Sequence, residues 1–296
     1  MPLQTNVNTS LRNKLGVPQT ASLVNFAVAL IPLGLITFII DGNLLIPWGK
    51  IAQQPVWIWS GGVLGAIYVT SNILLLPRLG SVATVVLPVL GQVLMGMLVD
   101  QFGLFGSLRI ENGFLRVTGA VLVLAGVFMI VASGADKDAG GKFSMKTFSG
   151  WFWAILGIVI GMLVACQTAI NTELGRVIGS SQKAALISFL TGTATLLFLY
   201  IIFRIKNRGR MPAREKPAWW MYLGGFMGAI FVLLTIYIAT DIGTGMAVIV
   251  MLVGMIIGSM IIDALGIMGV ERRRITPMKI CGALIMIGGA CMTYLL

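Results

Sequence analysis

Two carboxylates, Asp100 and Asp263, each close a long apolar run. A carboxylate so placed can titrate as a cavity opens and closes, which is the chemistry of proton coupling. Equally it can cap the glycine-rich turn that follows it, at Gly103 and Gly106 or at Gly266 and Gly269. The two aspartates are copies of one another in an internal repeat, and the turn-capping reading is the favoured one. A second group consists of amides and phenols inside apolar runs: Gln92, Tyr68, Asn72, Gln167, Tyr237 and Gln4. Their chemistry is hydrogen bonding to an organic solute, not bond making. Histidine is absent from the 296 residues, which excludes imidazole nucleophiles, imidazole proton relays and His-ligated zinc. No nucleophile–base pair and no metal-ligand spacing is present, so neither a cofactor nor a metal is expected, and a membrane-embedded enzyme is the poorest reading.

Each polar residue also has a bland reading. Gln92 lies mid-helix between Gly91 and Gly96. It either lines a wet cavity or makes an interhelical hydrogen bond across a glycine contact. Gln167 and Asn171 are four apart and share a helix face, as do Gln4 and Asn8, and as do Tyr68 and Asn72. Such pairs could form a polar floor, or merely satisfy backbone groups at a helix end. Tyr237 suits an organic ligand but is also an ordinary interfacial anchor, and Trp57, Trp59, Trp151, Trp153, Trp219 and Trp220 read as belt residues. The segment Gly134–Phe143 has the look of a phosphate loop, but Asp136 and Phe143 occupy positions that the motif cannot give up.

The elements that carry these residues belong in a bilayer. Hydrophobic residues make up 57% of the chain and charged residues 10%, with mean hydropathy +0.96, whereas a soluble domain is about a quarter charged. Apolar runs of spanning length fall at about 20–40, 56–77, 82–100, 114–132, 151–171, 184–203, 219–239, 243–263 and 277–295, which predicts nine transmembrane helices. The net charge of +11 sits in short clusters between these runs and is a topology signal, not a nucleic-acid footprint. Cys166, Cys281 and Cys291 all lie in apolar segments and read as small hydrophobes.

The chain repeats itself at a constant offset of 163. Gln4, Asn8 and Leu11 fall on Gln167, Asn171 and Leu174, and Gly61, Gly62 and Gly65 fall on Gly224, Gly225 and Gly228. Farther along, Gly91, Asp100, Gly103, Gly106 and Gly119 fall on Gly254, Asp263, Gly266, Gly269 and Gly282, while Gln92 falls on Met255. The organisation read from this is a first repeat at 1–133, a linker at 134–150 and a second repeat at 151–296. Met1 lies over Val164, so the helix preceding Gln4 is expected to be cut to its last turns. Five helices is an odd number, so two tandem copies cross the membrane in opposite senses, as inverted repeats. Loops on one side carry Arg12, Lys14, Arg78, Lys137, Lys142, Lys146, six basic residues from Arg204 to Lys216, Arg272 to Arg274 and Lys279. The other side has only Lys50, Arg109, Arg116, Arg176 and Lys183. The richer side is expected in the cytoplasm, with the C-terminus outside.

The frame Gln-x3-Asn-x2-Leu, then Gly91-Gln92, Asp100, Gly103, Gly106, a basic residue (Arg116, Lys279) and Gly119/Gly282, resembles the YdcZ family of the drug/metabolite transporter superfamily. The resemblance covers nearly the whole chain as two fused copies. It implies an all-α polytopic fold of two inverted five-helix repeats in the bacterial inner membrane. The implied activity is secondary transport of small organic molecules, with export favoured, by alternating access at a midplane site. Gln92, Tyr68, Asn72, Gln167, Tyr237 and Gln4 are then the candidate lining residues, and Asp100 and Asp263 the gating or coupling candidates. Proton-coupled relatives implied by the resemblance carry an acid within the first helix, where this chain has Gln167. The partners expected are a small-molecule substrate and the lipid bilayer, with a homodimer left open. A passive channel or a non-transporting scaffold is the alternative.

Overall fold

The computed structural model describes residues 2–133, 148–206, 216–265 and 275–294. The phosphate-loop look-alike at Gly134–Phe143, the turn glycines Gly266 and Gly269, and the side chains of Gln4, Asn72 and Asp263 lie outside the described residues. Among the described residues the regular structure is helical: α1 (Pro2–Leu15), α2 (Pro18–Asp41), α3 (Trp48–Ala52), α4 (Gly61–Phe102), α5 (Phe114–Ser133), α6 (Phe148–Ile178), α7 (Ser181–Lys206), α8 (Leu223–Ile242), α9 (Thr244–Leu265) and α10 (Pro277–Tyr294). Single 3-10 turns lie at Val56–Trp59, Leu104–Gly106 and Trp219–Tyr222.

The helix ends follow local chemistry. Pro18 opens α2, where its missing N–H costs nothing, and Gly42 closes it at φ 72, donating its N–H to the Phe38 carbonyl at 3.0 Å. Gly179, at φ 81, ends α6 with its own N–H and that of Ser180 on the Gly175 carbonyl. Ser180 then caps α7, its hydroxyl accepting the Lys183 N–H at 3.1 Å. Thr276 plays the same part before Pro277 in α10, accepting the Lys279 N–H at 3.3 Å.

Among the described residues six helical stretches are long and apolar enough to cross a bilayer: Gln19–Asp41, Ala83–Phe102, Phe114–Ala132, Gly150–Ile178, Ser181–Lys206 and Trp219–Ile242. Shorter apolar helical stretches lie at Gly61–Ser71, the first part of α4, and at Thr244–Gly258 and Pro277–Thr293. This is an all-α polytopic membrane protein. One expectation is corrected. The runs at 56–77 and 82–100 are not separate helices, because α4 continues for 42 residues and starts only after the 3-10 turn at Val56–Trp59. The chain stays helical through Pro77 and Gly80, since in a membrane helix neighbouring helices can satisfy the carbonyl a proline leaves free. At the copy of Gly80 in the second half, Gly243 takes φ 85 and divides α8 from α9.

The chain divides into two compact units, each drawing on both halves of the sequence. One holds Ser71–Ala165 and Ile242–Leu296; the other holds Pro2–Thr70 and Cys166–Asp241. The core of the first joins Val93, Val123, Val127, Ile249 and Met286. The core of the second joins Phe26, Leu33, Ile58, Leu174, Phe189 and Leu196. Outward faces are apolar as well, as on α2, where Ile31, Leu35, Phe38, Ile39 and Ile40 are exposed. In water such a face would aggregate; against lipid it is the ordinary surface.

Candidate functional site

In the first unit, Asp100 is the centre of a buried polar knot. It stands at the end of α4 with no exposed surface and forms an ion pair with Arg116 of α5, itself buried. Its two carboxylate oxygens accept the backbone N–H groups of Thr244 and Gly245, each at 2.9 Å. These are orphan donors of the first turn of α9, and a carboxylate suits the positive end of that helix. The Asp100 carbonyl accepts the Ile110 N–H at 2.9 Å, and Arg116 reaches the Ile110 carbonyl at 3.4 Å. Asn112 closes the loop on α4 through Gln101 and the Met97 carbonyl. The positive φ of Gly103 and Gly243, 60° and 85°, lets the backbone turn around this one carboxylate. Asp100 is thus fully engaged as a cap and ion pair.

The same unit contains the Gly91–Gln92 pair. A Cβ at Gly91 would overlap the Ile158 carbonyl of α6, and one at Gly161 of α6 would overlap the Pro88 carbonyl of α4. The two helices therefore meet backbone to backbone, with small residues on both sides. Gln92 is buried on the next position of α4, 9% exposed. The copy of Gly91 differs: among the described residues nothing lies within 4 Å of where a Cβ would stand at Gly254 or at Gly258 one turn on. Helices α5 and α10 also cross on glycines. A Cβ at Gly119 would come 2.5 Å from the Gly289 carbonyl, and one at Gly126 would come 2.5 Å from the Gly282 carbonyl. As numbers rise along α5 they fall along α10, so the pair is antiparallel. Gly282 and Gly289 are the copies of Gly119 and Gly126, which makes the contact reciprocal in the offset.

The second unit shows the same reciprocity. A Cβ at Gly61 would overlap Asn171 Oδ1, and one at Gly224 would overlap Asn8 Oδ1. Gly62 is pressed on the Ser188 carbonyl and Gly192 of α7, and Gly225 on the Asn25 carbonyl and Ala29 of α2. Each contact is the other's copy at offset 163. Asn171 is buried and donates to the Ser188 hydroxyl at 3.1 Å. The side-chain oxygens of Asn8, Asn25 and Asn171 are buried without a hydrogen-bond partner among the described residues, and each lies against a glycine of α4 or α8.

One turn along α4 from Gly61, the half-buried Gln167 lays its amide over Gly65, nitrogen at 2.9 Å and oxygen at 3.2 Å from where a Cβ would stand. Tyr68 follows three residues later on the same helix and is half-buried. Gln167, Gly65 and Tyr68 are therefore the candidates this unit gathers on one side of α4. Tyr237 is 41% exposed on α8. Gln92 belongs to the other unit. Two residues central to the geometry were not singled out by sequence reasoning. Arg116 entered only as a basic position, and Asn171 was given no functional weight. The offset links each to its copy but does not reveal which residue it touches.

The family model described as "Putative inner membrane exporter, YdcZ" matches residues 1–129 and 152–292. Comparison with curated proteins gave no match. Among solved structures, one crystal structure of a protein is similar over 99% of this chain and 93% of its own, with a TM-score of 0.67 at 17% identity. At that identity the likeness speaks for the fold alone.

Proposed function

The chain belongs to the YdcZ family of inner-membrane exporters, and on that membership we propose that it is a secondary transporter of small organic molecules working by alternating access. A multi-pass inner-membrane transporter follows from the family and the long apolar helices. The single observation that carries the finer reading is the reciprocal glycine packing. Gly61 on Asn171 with Gly224 on Asn8, and Gly119 on Gly289 with Gly126 on Gly282, are what two copies related by a two-fold axis produce. Antiparallel copies give two equivalent ways of opening, one to each side. Cα-to-backbone glycine contacts let helices slide without unlocking interdigitated side chains.

In this reading Gln167 and Gln92 are the solute-contacting amides, and Tyr68, Asn72, Gln4 and Tyr237 are the further candidates for solute contact. Asp100 and Asp263 are helix-end elements at the gates. Exporting rather than importing follows the family. The test is flux in proteoliposomes over a panel of amino acids, amines, sugars and cationic dyes. Saturable, counterflow-competent flux that falls when Gln167 is replaced by Leu is the expected result. Linear, non-saturating currents would instead establish a passive channel and end the alternating-access proposal.

A further inference from the structure

The connection between α2 and α4, residues 42–60, is short of the length needed for a domain but has two chemically different sides. Its inner side is polar or core-directed. Lys50 Nζ donates to the Ile178 carbonyl at the end of α6, at 2.7 Å. Lys183 of α7 reaches back to Asn43 Oδ1 at 2.9 Å and to the Leu45 carbonyl at 3.0 Å. Ser180 in the α6–α7 turn bonds Asp41 at the start of the connection. Ile58 is fully buried, and Ile46 and Trp59 pack on the core of the same unit. The outer side is the reverse: Leu45 is 81% exposed, Trp48 77% and Val56 88%, with Leu44 and Trp57 also exposed.

We infer that this connection is a membrane-interface anchor, with Leu45, Trp48 and Val56 seated among lipid headgroups and upper acyl chains. The occupant of the apolar side is the bilayer, for three reasons. The connection starts where the apolar span Gln19–Asp41 ends and returns into the apolar helix at Gly61, so its depth is that of the boundary. Its exposed side continues the lipid-facing surface of α2 at Phe38, Ile39 and Ile40. Both lysines of the region are already bonded to protein, so the exposed apolar residues carry no free cation beside them that would need an anionic partner. Trp at that depth, with an apolar body and one N–H, is the residue such a boundary favours. Because three tethers join the connection to the α6–α7 turn, the membrane also fixes the depth of that turn within its unit.

The experiment places a nitroxide at single cysteines. In a background with Cys166, Cys281 and Cys291 replaced by Ala, the full chain carrying Leu45→Cys, Trp48→Cys, Val56→Cys or the control Gln53→Cys is labelled in phosphatidylethanolamine–phosphatidylglycerol vesicles. Collision with oxygen should exceed collision with a water-soluble nickel chelate at positions 45, 48 and 56, and the order should invert at 53. A label at 48 and 56 that favours the nickel chelate places the segment in water and overturns the inference. Labels shielded from both reagents mean that a second copy or another protein covers this side, and overturn it equally. A repeat in Lys50→Met should raise label mobility at 48 while oxygen still prevails; loss of the oxygen preference there would show that the tethers, not the lipid, set the depth.

Discussion

The rings of Phe26 and Phe189 lie 4.9 Å apart between centroids, and the two residues are each other's copies at the offset of 163. A residue meets its own copy only near an axis that exchanges the two halves. Around this pair the second unit repeats its contacts in both directions, Gly62 on α7 and Gly225 on α2. The tilt between the rings, 44°, is ordinary aromatic packing. Phe26→Leu and Phe189→Leu should therefore cost nearly the same stability, about 1–2 kcal/mol each, and the double variant should cost less than their sum because the partner ring is already gone. Thermal unfolding of the three variants in detergent measures this; additive costs would remove the case for a shared contact.

Gly91 and Gly254 are copies with opposite surroundings, and substitution separates them. At Gly91 an added methyl meets the Ile158 carbonyl, a backbone atom that cannot swing aside. Gly91→Ala should destabilise by about 1–3 kcal/mol through overpacking. At Gly254 nothing among the described residues stands within 4 Å, so Gly254→Ala should be neutral or stabilising by about 0.5–1 kcal/mol, the ordinary gain of alanine in a helix. The melting temperatures of the two variants in one detergent decide it, and an equal loss in both would contradict the open face on α9.

Asp100 and Arg116 should behave as one unit. Removing either leaves a buried charge, and Asp100→Ala also orphans the first N–H groups of α9. Breaking such a pair costs about 3–5 kcal/mol. The double variant Asp100→Leu with Arg116→Met removes both charges and should recover part of that loss, leaving the uncapped helix as the residual defect, worth about 1 kcal/mol. Expression level and unfolding temperature read the cycle. If Asp100→Ala alone kept full stability but lost flux, the carboxylate would have to be reassigned from cap to coupling group.

Much of this arrangement was legible before any coordinates. The nine apolar stretches follow from run length, because lipid leaves backbone groups no alternative to helix, and the offset of 163 follows from glycines and polar residues that helix packing holds in place. What was not legible depends on contact. Nothing in the neighbourhood of Asp100 says that its donors lie at Thr244 and Gly245, 144 residues away. The α2–α4 connection mixes aliphatic, aromatic and small residues with a single lysine and no period, so its two sides appear only once Lys50 is seen bonded inward and Lys183 of α7 is seen reaching to it. The continuous α4 went against the sequence for a related reason. Pro77 and Gly80 have the composition of a turn, yet Gly243 is the copy position where the left-handed backbone is used.

The glycine-clasped amides give the sharpest coupled test. Asn171 Oδ1 sits where a Cβ at Gly61 would go, and Asn8 Oδ1 where one at Gly224 would go. Gly61→Ala forces the buried Asn171 amide off its hydrogen bond to Ser188 and should cost about 1–3 kcal/mol. Adding Asn171→Ala empties the space the new methyl needs, so the double variant should be closer to wild type than Gly61→Ala alone, with a coupling of about 0.5–3 kcal/mol. The copy cycle, Gly224→Ala with Asn8→Ala, should couple with the same sign. Flux separates this packing role from solute contact: Gln167→Leu, which removes the amide over Gly65 and keeps an apolar side chain one atom shorter, should leave the unfolding temperature nearly unchanged and lower saturable flux about tenfold, the worth of one 1.4 kcal/mol interaction. Unchanged flux in Gln167→Leu would move solute contact away from the Gly65 face of the second unit.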